Sequence, residues 1–374
     1  MPRRITIRDI AARAGVHYST VSLALRNSPK LSPDLRARIR DVADQLGYVP
    51  DPAMTALSAY RNSTRPVHYQ ATLAWVNNWP DQADLRKVKT FDRYFRGVTE
   101  RAARLGYRID ELWLRAPGMT GASAHAILKA RNITGLLLAP QPFAHTPLSL
   151  DLKNFSPLAF GYSLQPSTLH LVTNHQYQSM TLLLRRLTEL GYRRIGLYLR
   201  ADWDEKVNNS YLSGLLLLQH QQPPADRVPP LLNESDSEEE FRAWFKTRRP
   251  DVVVVIGGQV RAWLEKGLGL RIPADVGLAN LNLDPDDAWL AGIDQNDRLI
   301  GATAVDILTG MIQRNERGIP PTPIRTLVEG VWKLGLSVRS VNATAATVFT
   351  APTTTPASAS KKPAAKARKP RARR

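Results

Sequence analysis

The chain has 374 residues and no cysteine, and its 51 lysines and arginines against 33 acidic residues give a formal net charge of +18. This length predicts about two or three domains, and the lack of cysteine excludes disulfides, a thiol nucleophile and cysteine-ligated metal sites. No apolar run approaches the ~20 residues that span a bilayer, and the first residues lack the apolar core of a secretory signal. We therefore expect a cytoplasmic protein that needs no metal or other cofactor.

The positive charge is concentrated at the two ends of the chain. Residues 1–65 carry 11 basic and 5 acidic side chains, and residues 343–374 carry 8 basic and no acidic ones. The residues between them hold 32 basic and 28 acidic side chains and are close to neutral. Two basic ends on a near-neutral body predict binding to a polyanion, here nucleic acid, and hence association with the nucleoid.

Residues 1–50 have the pattern of three short amphipathic helices. Thr6, with an acidic residue three positions later, predicts a capped first helix. Gly15 follows as a tight turn, a second helix is expected from Tyr18, and Ser32 followed by proline predicts the start of a third. Three short helices joined by this turn predict an all-α helix-turn-helix domain whose second helix enters the major groove of DNA.

The second helix is expected to bury one face and expose the other. Val21 and Leu25 lie one turn apart and should pack on the first helix. The opposite face combines an exposed leucine with a tyrosine, which favours DNA reading over the alternative of an ordinary solvated surface. We predict DNA contacts from this face and its flanks, at Thr6, His17, Tyr18, Ser19, Thr20, Ser22, Leu23, Arg26, Asn27, Lys30 and Ser32.

Residues 51–64 form a connector with helical potential between prolines, and residues 65–342 alternate strand-like and helix-like segments. The apolar runs are ATLAWV, GLLLA, RIGLYL, VVVVIG and VGLANL, and a helical stretch separates each from the next. Continuous apolar strands between helices indicate parallel sheets covered on both faces. The length of this region favours two three-layer α/β lobes with a ligand cleft between them.

The segment TIRDIAARAGVHYSTVSLALRNSPKLSPDLRARIRDVADQLGYVPDP resembles the start of a lactose-repressor (LacI/GalR) family regulator. The pieces that carry the resemblance are DIAxxAGV, TVSxAL, the Ser32 helix start and LGYxP, in this order. The resemblance implies a hinge helix at residues 51–64 that folds on operator binding, with Leu57 wedged into the minor groove. A leucine that only packs on the body is the alternative.

Two positions of the reading helix depart from the family pattern. Family members often carry arginine where this chain has Leu23. Arginine reads guanine through two hydrogen bonds, whereas leucine offers only apolar contact, best matched by a thymine methyl group. His17 stands at the N-cap, where the family prefers serine. We therefore expect an operator that differs from the family average.

The resemblance continues more weakly to about residue 340. It implies a periplasmic-binding-protein-like body of two Rossmann-like lobes, which dimerises and closes on an effector. Tyr211 stands where the family has an arginine, Asn282 where it has an aspartate, and Gly257-Gly258 where it has an Asn-Asp pair, whereas Gln295 matches. Loss of the charged pair that clasps sugar hydroxyls argues against a simple sugar, yet amides beside aromatic rings suit a carbohydrate-related effector.

The effector-binding residues are expected at strand ends that face the cleft. We predict Asn77, Asn78, Trp79, Phe91, Gln141, Tyr211, Asn282 and Gln295. For each of them, an ordinary place in the core or on the surface is the alternative. Asp202, Asp204 and Glu205 could bind a cation near a strand end, although an acidic loop that caps a helix is the favoured explanation.

The last segment, residues 343–374, consists mainly of Ala, Thr, Pro, Ser, Lys and Arg with one aromatic residue, a composition that predicts a disordered basic tail. A purely solubilising tail is the alternative. The segment contains no leucine and so lacks the heptad that joins the family's tetramers, which predicts a homodimer on a near-palindromic operator.

These features together predict a sequence-specific DNA-binding transcriptional regulator, and a repressor, whose operator affinity is controlled by a small molecule between the two lobes. A solute-binding protein or an enzyme on the same two-lobed fold is the alternative. The chain contains no Walker loop, no HExxH and no G-x-S-x-G motif, and its seven histidines show no metal-binding spacing. We therefore expect no catalytic activity.

Overall fold

The computed structural model describes residues 5–25, 28, 30–48, 71–166 and 168–341. The predicted connector at residues 51–64 with Leu57, the predicted tail at residues 343–374, and Arg26 and Asn27 lie outside this part of the chain.

The described elements follow the expected order, with three helices first and an alternating α/β region after them. The helices are α1 (Ile7–Ala14), α2 (Tyr18–Leu25), α3 (Pro33–Gln45), α4 (Asp84–Lys87), α5 (Lys89–Arg104), α6 (Gly121–Ala130), α7 (Gln176–Glu189), α8 (Ala201–Lys206), α9 (Ser210–Gln221), α10 (Glu238–Arg248), α11 (Gln259–Ala262) and α12 (Asp297–Arg314). The strands are β1 (Ala71–Asn77), β2 (Tyr107–Trp113), β3 (Gly135–Leu138), β4 (Thr146–Pro147), β5 (Ser156–Phe160), β6 (Leu164–Gln165), β7 (Leu171–Asn174), β8 (Ile195–Arg200), β9 (Leu231–Asn233), β10 (Val252–Val255), β11 (Gly277–Asn280), β12 (Ala291–Asp294), β13 (Arg325–Val328) and β14 (Val331–Lys333).

Local signals fix the ends of the first helices. The Thr6 side chain caps α1 by accepting from the backbone N–H of Asp9, and the Asp9 carboxylate accepts in return from the backbone N–H of Thr6 at 2.8 Å. Gly15 ends α1 with a φ of 66°, and the Ser32 hydroxyl caps α3. These contacts satisfy backbone groups that a helix end leaves without partners.

The three helices share one small core. Ile10, Val21, Ala24 and Ile39 are fully buried in it, and Leu25 packs at its margin, partly buried. Because α2 contacts both α1 and α3, the small Ala24 fits the centre where the three helices meet. The predicted packing of Val21 and Leu25 on the first helix is thus present, with Ala24 as an additional buried position.

The α/β region forms two lobes, each around a six-stranded sheet. The first sheet has the strand order β13-β7-β5-β3-β1-β2 and is parallel throughout. The second has the order β14-β12-β11-β10-β8-β9 and is parallel except for its edge strand β14. This confirms the two-lobed α/β body, and all five apolar runs identified in the sequence form buried strands.

The chain passes three times between the lobes. It leaves the first sheet after Asn174, returns from the second after Asp294, and crosses again after Val328. Helix α12 therefore packs in the first lobe, against α5 and strands β3, β5 and β7, although it follows a strand of the second. These crossings bring the carboxyl ends of strands from both lobes to one seam, which is where ligands of open α/β sheets bind.

Helices α5 and α12 approach each other through two glycines within the first lobe. A Cβ atom on Gly97 would lie 2.0 Å from the backbone oxygen of Arg298, and one on Gly301 would lie 2.1 Å from that of Tyr94. Any side chain at either position would force the backbones apart, so glycine sets the spacing of the two helices. Their N-terminal turns carry Phe91 and Asp297, and the spacing therefore also positions side chains at the seam.

Candidate DNA interface and effector cleft

Helix α2 turns its predicted reading face away from the three-helix core. Tyr18 is 53% exposed, Ser19 is exposed, and Thr20, Ser22 and Leu23 are partly buried. A helix of eight residues whose one face is fully packed leaves the other as the only surface it can offer to a groove. These five residues are thus at least partly accessible, and their DNA contacts stay a prediction.

His17 precedes α2 and partly replaces the serine cap that the family resemblance leads one to expect. Its Nδ1 atom lies 2.8 Å from the Ser19 hydroxyl oxygen and accepts from the Ser19 backbone N–H at 3.4 Å. The His17 ring also stacks at a tilt on Tyr18, with 4.2 Å between ring centroids. The imidazole therefore caps the helix weakly and holds the Tyr18 ring at its exposed start.

The remaining predicted DNA contacts that are described lie around α2. Thr6 and Ser32 are exposed and use their hydroxyl groups as helix caps, and Lys30 is exposed in the turn before α3. Arg38 donates to the backbone oxygen of Ala14 at 3.0 Å and so satisfies the end of α1. Residues at helix ends and caps beside a reading helix commonly contact DNA phosphates. These residues therefore suit contacts to the sugar-phosphate backbone of DNA and not the reading of bases.

At the seam between the lobes, two predicted effector residues form an aromatic corner. The rings of Trp79 and Phe91 meet edge to face with centroids 6.2 Å apart, and the Trp79 indole N–H donates to the backbone oxygen of Pro140. Lys206, from α8 of the second lobe, extends its ammonium to 5.6 Å from the Trp79 centroid and 5.4 Å from that of Phe91. Its Nζ atom donates to the backbone oxygen of Pro142 at 3.1 Å and so crosses from one lobe to the other.

Buried amides form the wall beside this corner. The Asn78 side chain donates to the Gln141 oxygen at 2.9 Å and to the backbone of Pro147, and both amides are almost fully buried. Asn77 is fully buried and bonds the loop that follows β1 through the backbone of Gln82. Asn78 and Gln141 therefore fix the shape of the site, whereas Asn77 holds its supporting loop.

Asn282 joins the lobes on the other side of the corner. Its amide donates to the Thr90 hydroxyl at 2.6 Å, one residue before Phe91. The Asn282 Oδ1 atom is buried and has no hydrogen-bond partner among the described residues. A buried carbonyl oxygen without a hydrogen-bond donor costs stability.

Tyr211 and Gln295, in contrast, are used inside the protein. Tyr211 is 4% exposed and its hydroxyl accepts from the Asn174 amide at 3.3 Å. Burial raises the pKa of Tyr211, so it stays a neutral phenol. Gln295 is 1% exposed, accepts from the Ser179 hydroxyl at 3.0 Å and donates to the backbone oxygen of Leu281. The structure therefore gives both residues a structural contact, and their predicted role in effector binding stays a prediction.

Charged pairs hold the lobes together beside Asn282. Lys89 of the first lobe pairs with Asp284 of the second at 2.8 Å, and Arg93 reaches the same carboxylate at 4.0 Å. Arg93 also donates to the buried Asp297 at 2.7 Å. Burial raises the pKa of Asp297 to about 6, although Arg93 opposes this. The seam is thus closed by contacts that a change of lobe angle would break.

The acidic segment near the end of β8 caps a helix. The Asp204 carboxylate accepts from the backbone N–H groups of Tyr211 and Leu212, both at 3.1 Å. Asp202 pairs with Arg200 at 2.6 Å, and Glu205 lies 3.4 Å from His145. Of the two explanations considered for this segment, capping accounts for Asp204, and the described residues contain no cluster of three or more His, Cys, Asp or Glu that could hold a metal ion.

Three residues of the seam carried no recognisable signal in the sequence. Lys206 is the last residue of α8, whose sequence was explained as an acidic segment that caps a helix. Arg115 and His145 lie in loops far from Lys206 along the chain. Arg115 and His145 both belong to the first lobe, and the packing of the two lobes brings Lys206 toward them. No local spacing could have identified them.

The burial of Lys206 leads to a stability prediction. Desolvation lowers the pKa of Lys206 from 10.5 to about 8, with the charge of Asp202 acting against this. A folded-state pKa below the unfolded value means that the buried ammonium costs stability at neutral pH, and that this cost fades as the pH rises from about 8 to 10.5. We expect Lys206→Met to raise the free energy of unfolding at pH 7 by about 1–2 kcal/mol, after allowance for the lost cation–π contacts.

Urea unfolding of the wild type and the variant at several pH values measures this difference. The gain should be constant below pH 8 and vanish near pH 10.5. Lys129→Met, which removes an exposed lysine on α6, is the matched control and should show no such pH dependence. A variant that is less stable than the wild type at pH 7 would show that the ammonium is not penalised where it lies.

Comparison with known proteins matches both parts of the chain. The model of bacterial regulatory proteins of the lacI family matches residues 6–51, and that of the periplasmic binding protein-like domain matches residues 184–331. The HTH-type transcriptional repressor CytR of Escherichia coli K12 is 28% identical over 203 residues, which are 51% of this chain. That match spans only about half, 52%, of the length of CytR. The lactose operon repressor of the same organism is 22% identical over 323 residues, 83% of this chain and 85% of that repressor.

Solved structures show the same fold. The lac repressor dimer bound to operator and the anti-inducer ONPF has 18% sequence identity and a TM-score of 0.51, covering 90% of this chain and 100% of that one. The complex of the transcriptional regulator CelR with cellobiose has 18% identity and a TM-score of 0.51, covering 89% of this chain and 100% of that one.

In the described ranges, no helix has both the length and the apolar character needed to cross a membrane.

Proposed function

We propose that this chain, a LacI-family protein by the two domains it carries, is a sequence-specific DNA-binding transcriptional repressor controlled by a small molecule between its two lobes. The family match at residues 6–51 covers all three helices of the DNA-binding unit. The chain then catalyses no reaction and acts in the cytoplasm, bound to the nucleoid. The relatives it matches are transcriptional regulators by name.

The observation that carries the proposal is the surface of α2. Val21 and Ala24 are buried on its inner face, while Tyr18, Ser19 and Leu23 lie on the outer side. A reading helix needs this division, because one face must fix it to its domain while the other reaches base edges. Arg26, Asn27 and Leu57 extend the proposed interface beyond the described residues.

The two-lobed body supplies the control. Contacts from Lys206, Asn282 and Asp284 to the first lobe join the lobes at the seam, so a ligand bound there would change their relative position. Because one reading helix contacts only a few base pairs, we propose a homodimer on a near-palindromic operator. Binding of the effector then shifts the spacing of the two reading helices, and with it the affinity for both half-sites.

The identity of residue 23 tests the proposal directly. Selection from a random DNA pool with the full chain should yield a near-palindromic consensus. We expect Leu23→Arg to shift the preference toward guanine at one symmetric position in each half-site. A bidentate arginine contact is worth about 1–3 kcal/mol in discrimination between bases.

Gln45→Arg, which adds the same charge at the exposed end of α3, is the matched control and should leave the consensus unchanged. A consensus that is the same for the wild type and Leu23→Arg would place Leu23 away from the bases. Failure to select any sequence would overturn the proposed function.

A further inference from the structure

The ammonium group of Lys206 is desolvated without a counterion of its own. No ion pair in the described part of the chain includes Lys206, and the carboxylate of Asp202, one helical turn before it on α8, is already paired with Arg200. Of its three N–H donors, one donates to the backbone oxygen of Pro142. The Trp79 and Phe91 rings face the charge and keep water from it. A cation held in this way is stabilised strongly by any anion that reaches it.

A cavity of about 340 Å³ lies beside this ammonium. Pro142, whose backbone oxygen binds Lys206, forms part of its wall. The polar and charged side chains that line it are Asn78, Arg115, His145 and Thr146, and no carboxylate is among the lining residues. Its volume is at the lower end of the range of small-molecule sites. The cavity therefore has the cation Arg115 in its lining, and a second cation, Lys206, binds the backbone of one lining residue.

Arg115 is arranged to take part in binding. Its Nε atom donates to the buried Asn78 oxygen at 3.0 Å, which fixes the guanidinium plane. Within the described residues, Arg115 forms no ion pair, so its terminal N–H groups can form the parallel pair of bonds that a carboxylate or phosphate accepts. Glu205 of α8 lies 3.4 Å from the His145 ring.

We propose that the effector of this regulator carries an anionic group, a carboxylate or a phosphate, which binds in this cavity between Lys206 and Arg115. This inference rests on the proposed function and specifies the chemical class of its ligand. The anion also offers each lobe a charged partner, since Lys206 belongs to the second lobe and Arg115 to the first.

Titration of the full chain with sodium phosphate and with sodium acetate, at constant ionic strength set by sodium chloride, tests the site. All eight tryptophans lie between residues 75 and 332, so tryptophan fluorescence is insensitive to anions bound at the two basic ends of the chain. We expect a saturable change at millimolar concentration of at least one anion. Saturation by phosphate alone indicates a phosphorylated effector, by acetate alone a carboxylated one, and by both a cavity open to either group.

Substitutions of the two cations test whether the change in tryptophan fluorescence comes from this cavity. Lys206→Met and Arg115→Gln should each weaken the apparent affinity for the anion at least tenfold, whereas Lys129→Met should leave it unchanged. Circular dichroism verifies that each variant is folded. The absence of a saturable change in the wild type, or the same affinity in Lys206→Met, would overturn the proposal. Neither result depends on DNA selection, so failure of the anion site and failure of the proposed function can be told apart.

Discussion

Deletion of residues 343–374 is expected to reduce the salt dependence of DNA binding more than any single substitution in the chain. The segment carries eight positive charges among alanines and prolines and no acidic residue. Each phosphate that a cation neutralises contributes roughly 0.9 to the slope of log K against log salt, so eight contribute at most ~7. Fraying and proline spacing limit the contact, and we expect the slope to fall by about 3–5.

A change of this size has large consequences for affinity. Between 50 and 200 mM salt, the full chain should lose roughly 60- to 1000-fold more affinity than the truncated chain. The loss should be similar for the selected operator and for random DNA, because a tail of this composition cannot read base edges. Fluorescence anisotropy with both DNAs across the salt range measures the two slopes.

The matched control keeps the tail and removes only its charge. A chain in which the eight lysines and arginines of residues 343–374 are replaced by glutamine should behave like the deletion. Equal slopes for the full and truncated chains at low ionic strength would show that the tail does not bind DNA. If deletion of the tail changed the salt slope for the operator but not for random DNA, the tail would not bind DNA independently of sequence.

Much of the fold was predictable because its signals are local. The cap at Thr6, the turn at Gly15 and the start at Ser32 depend on residues within three positions of each other, and all three are found in the structure. The apolar runs predict buried parallel strands for the same reason, since each strand carries its own pattern. What the local signals could not show is that Ala24 fills the helical core, because this depends on how closely three helices meet.

The candidate site was only partly predictable. Trp79, Phe91 and Asn282 follow strand or helix boundaries, and the structure brings them to one seam. Tyr211, at the position where the resemblance leads one to expect an arginine, is buried against Asn174 instead. The positive charge in the cleft comes from Lys206, five residues earlier on a different helix. A motif compared position by position does not show a cation that another helix supplies.

Substitution of Gly301 by alanine is expected to destabilise the body by about 3 kcal/mol, because the Cβ atom would meet a backbone oxygen. That atom would lie 2.1 Å from the oxygen of Tyr94 and 2.8 Å from the backbone nitrogen of Val98, and neither can move unless helix α5 moves. The equivalent contact on α5, from Gly97 to the backbone of Arg298, is equally short. The cost is therefore a separation of two helices and not the shift of a flexible side chain.

The same separation of α5 and α12 should also change the cleft between the lobes. Phe91 lies one turn before Tyr94 on α5 and Arg93 directly before it, and Asp297 lies one turn before Gly301 on α12. A wider spacing would lengthen the Arg93–Asp297 contact of 2.7 Å and move the Phe91 ring away from Lys206. We therefore expect Gly301→Ala to weaken anion binding at the cavity beside Lys206 as well as stability.

Urea unfolding followed by circular dichroism measures the first effect, and anion titration of the folded variant measures the second. Gly258→Ala is the matched control, because a Cβ atom at Gly258 meets nothing within 4 Å and its backbone φ is −113°. That substitution should change stability by less than about 0.5 kcal/mol. If Gly301→Ala unfolds at the same urea concentration as Gly258→Ala, the helices can separate without cost, and glycine at this crossing does not set the geometry of the seam.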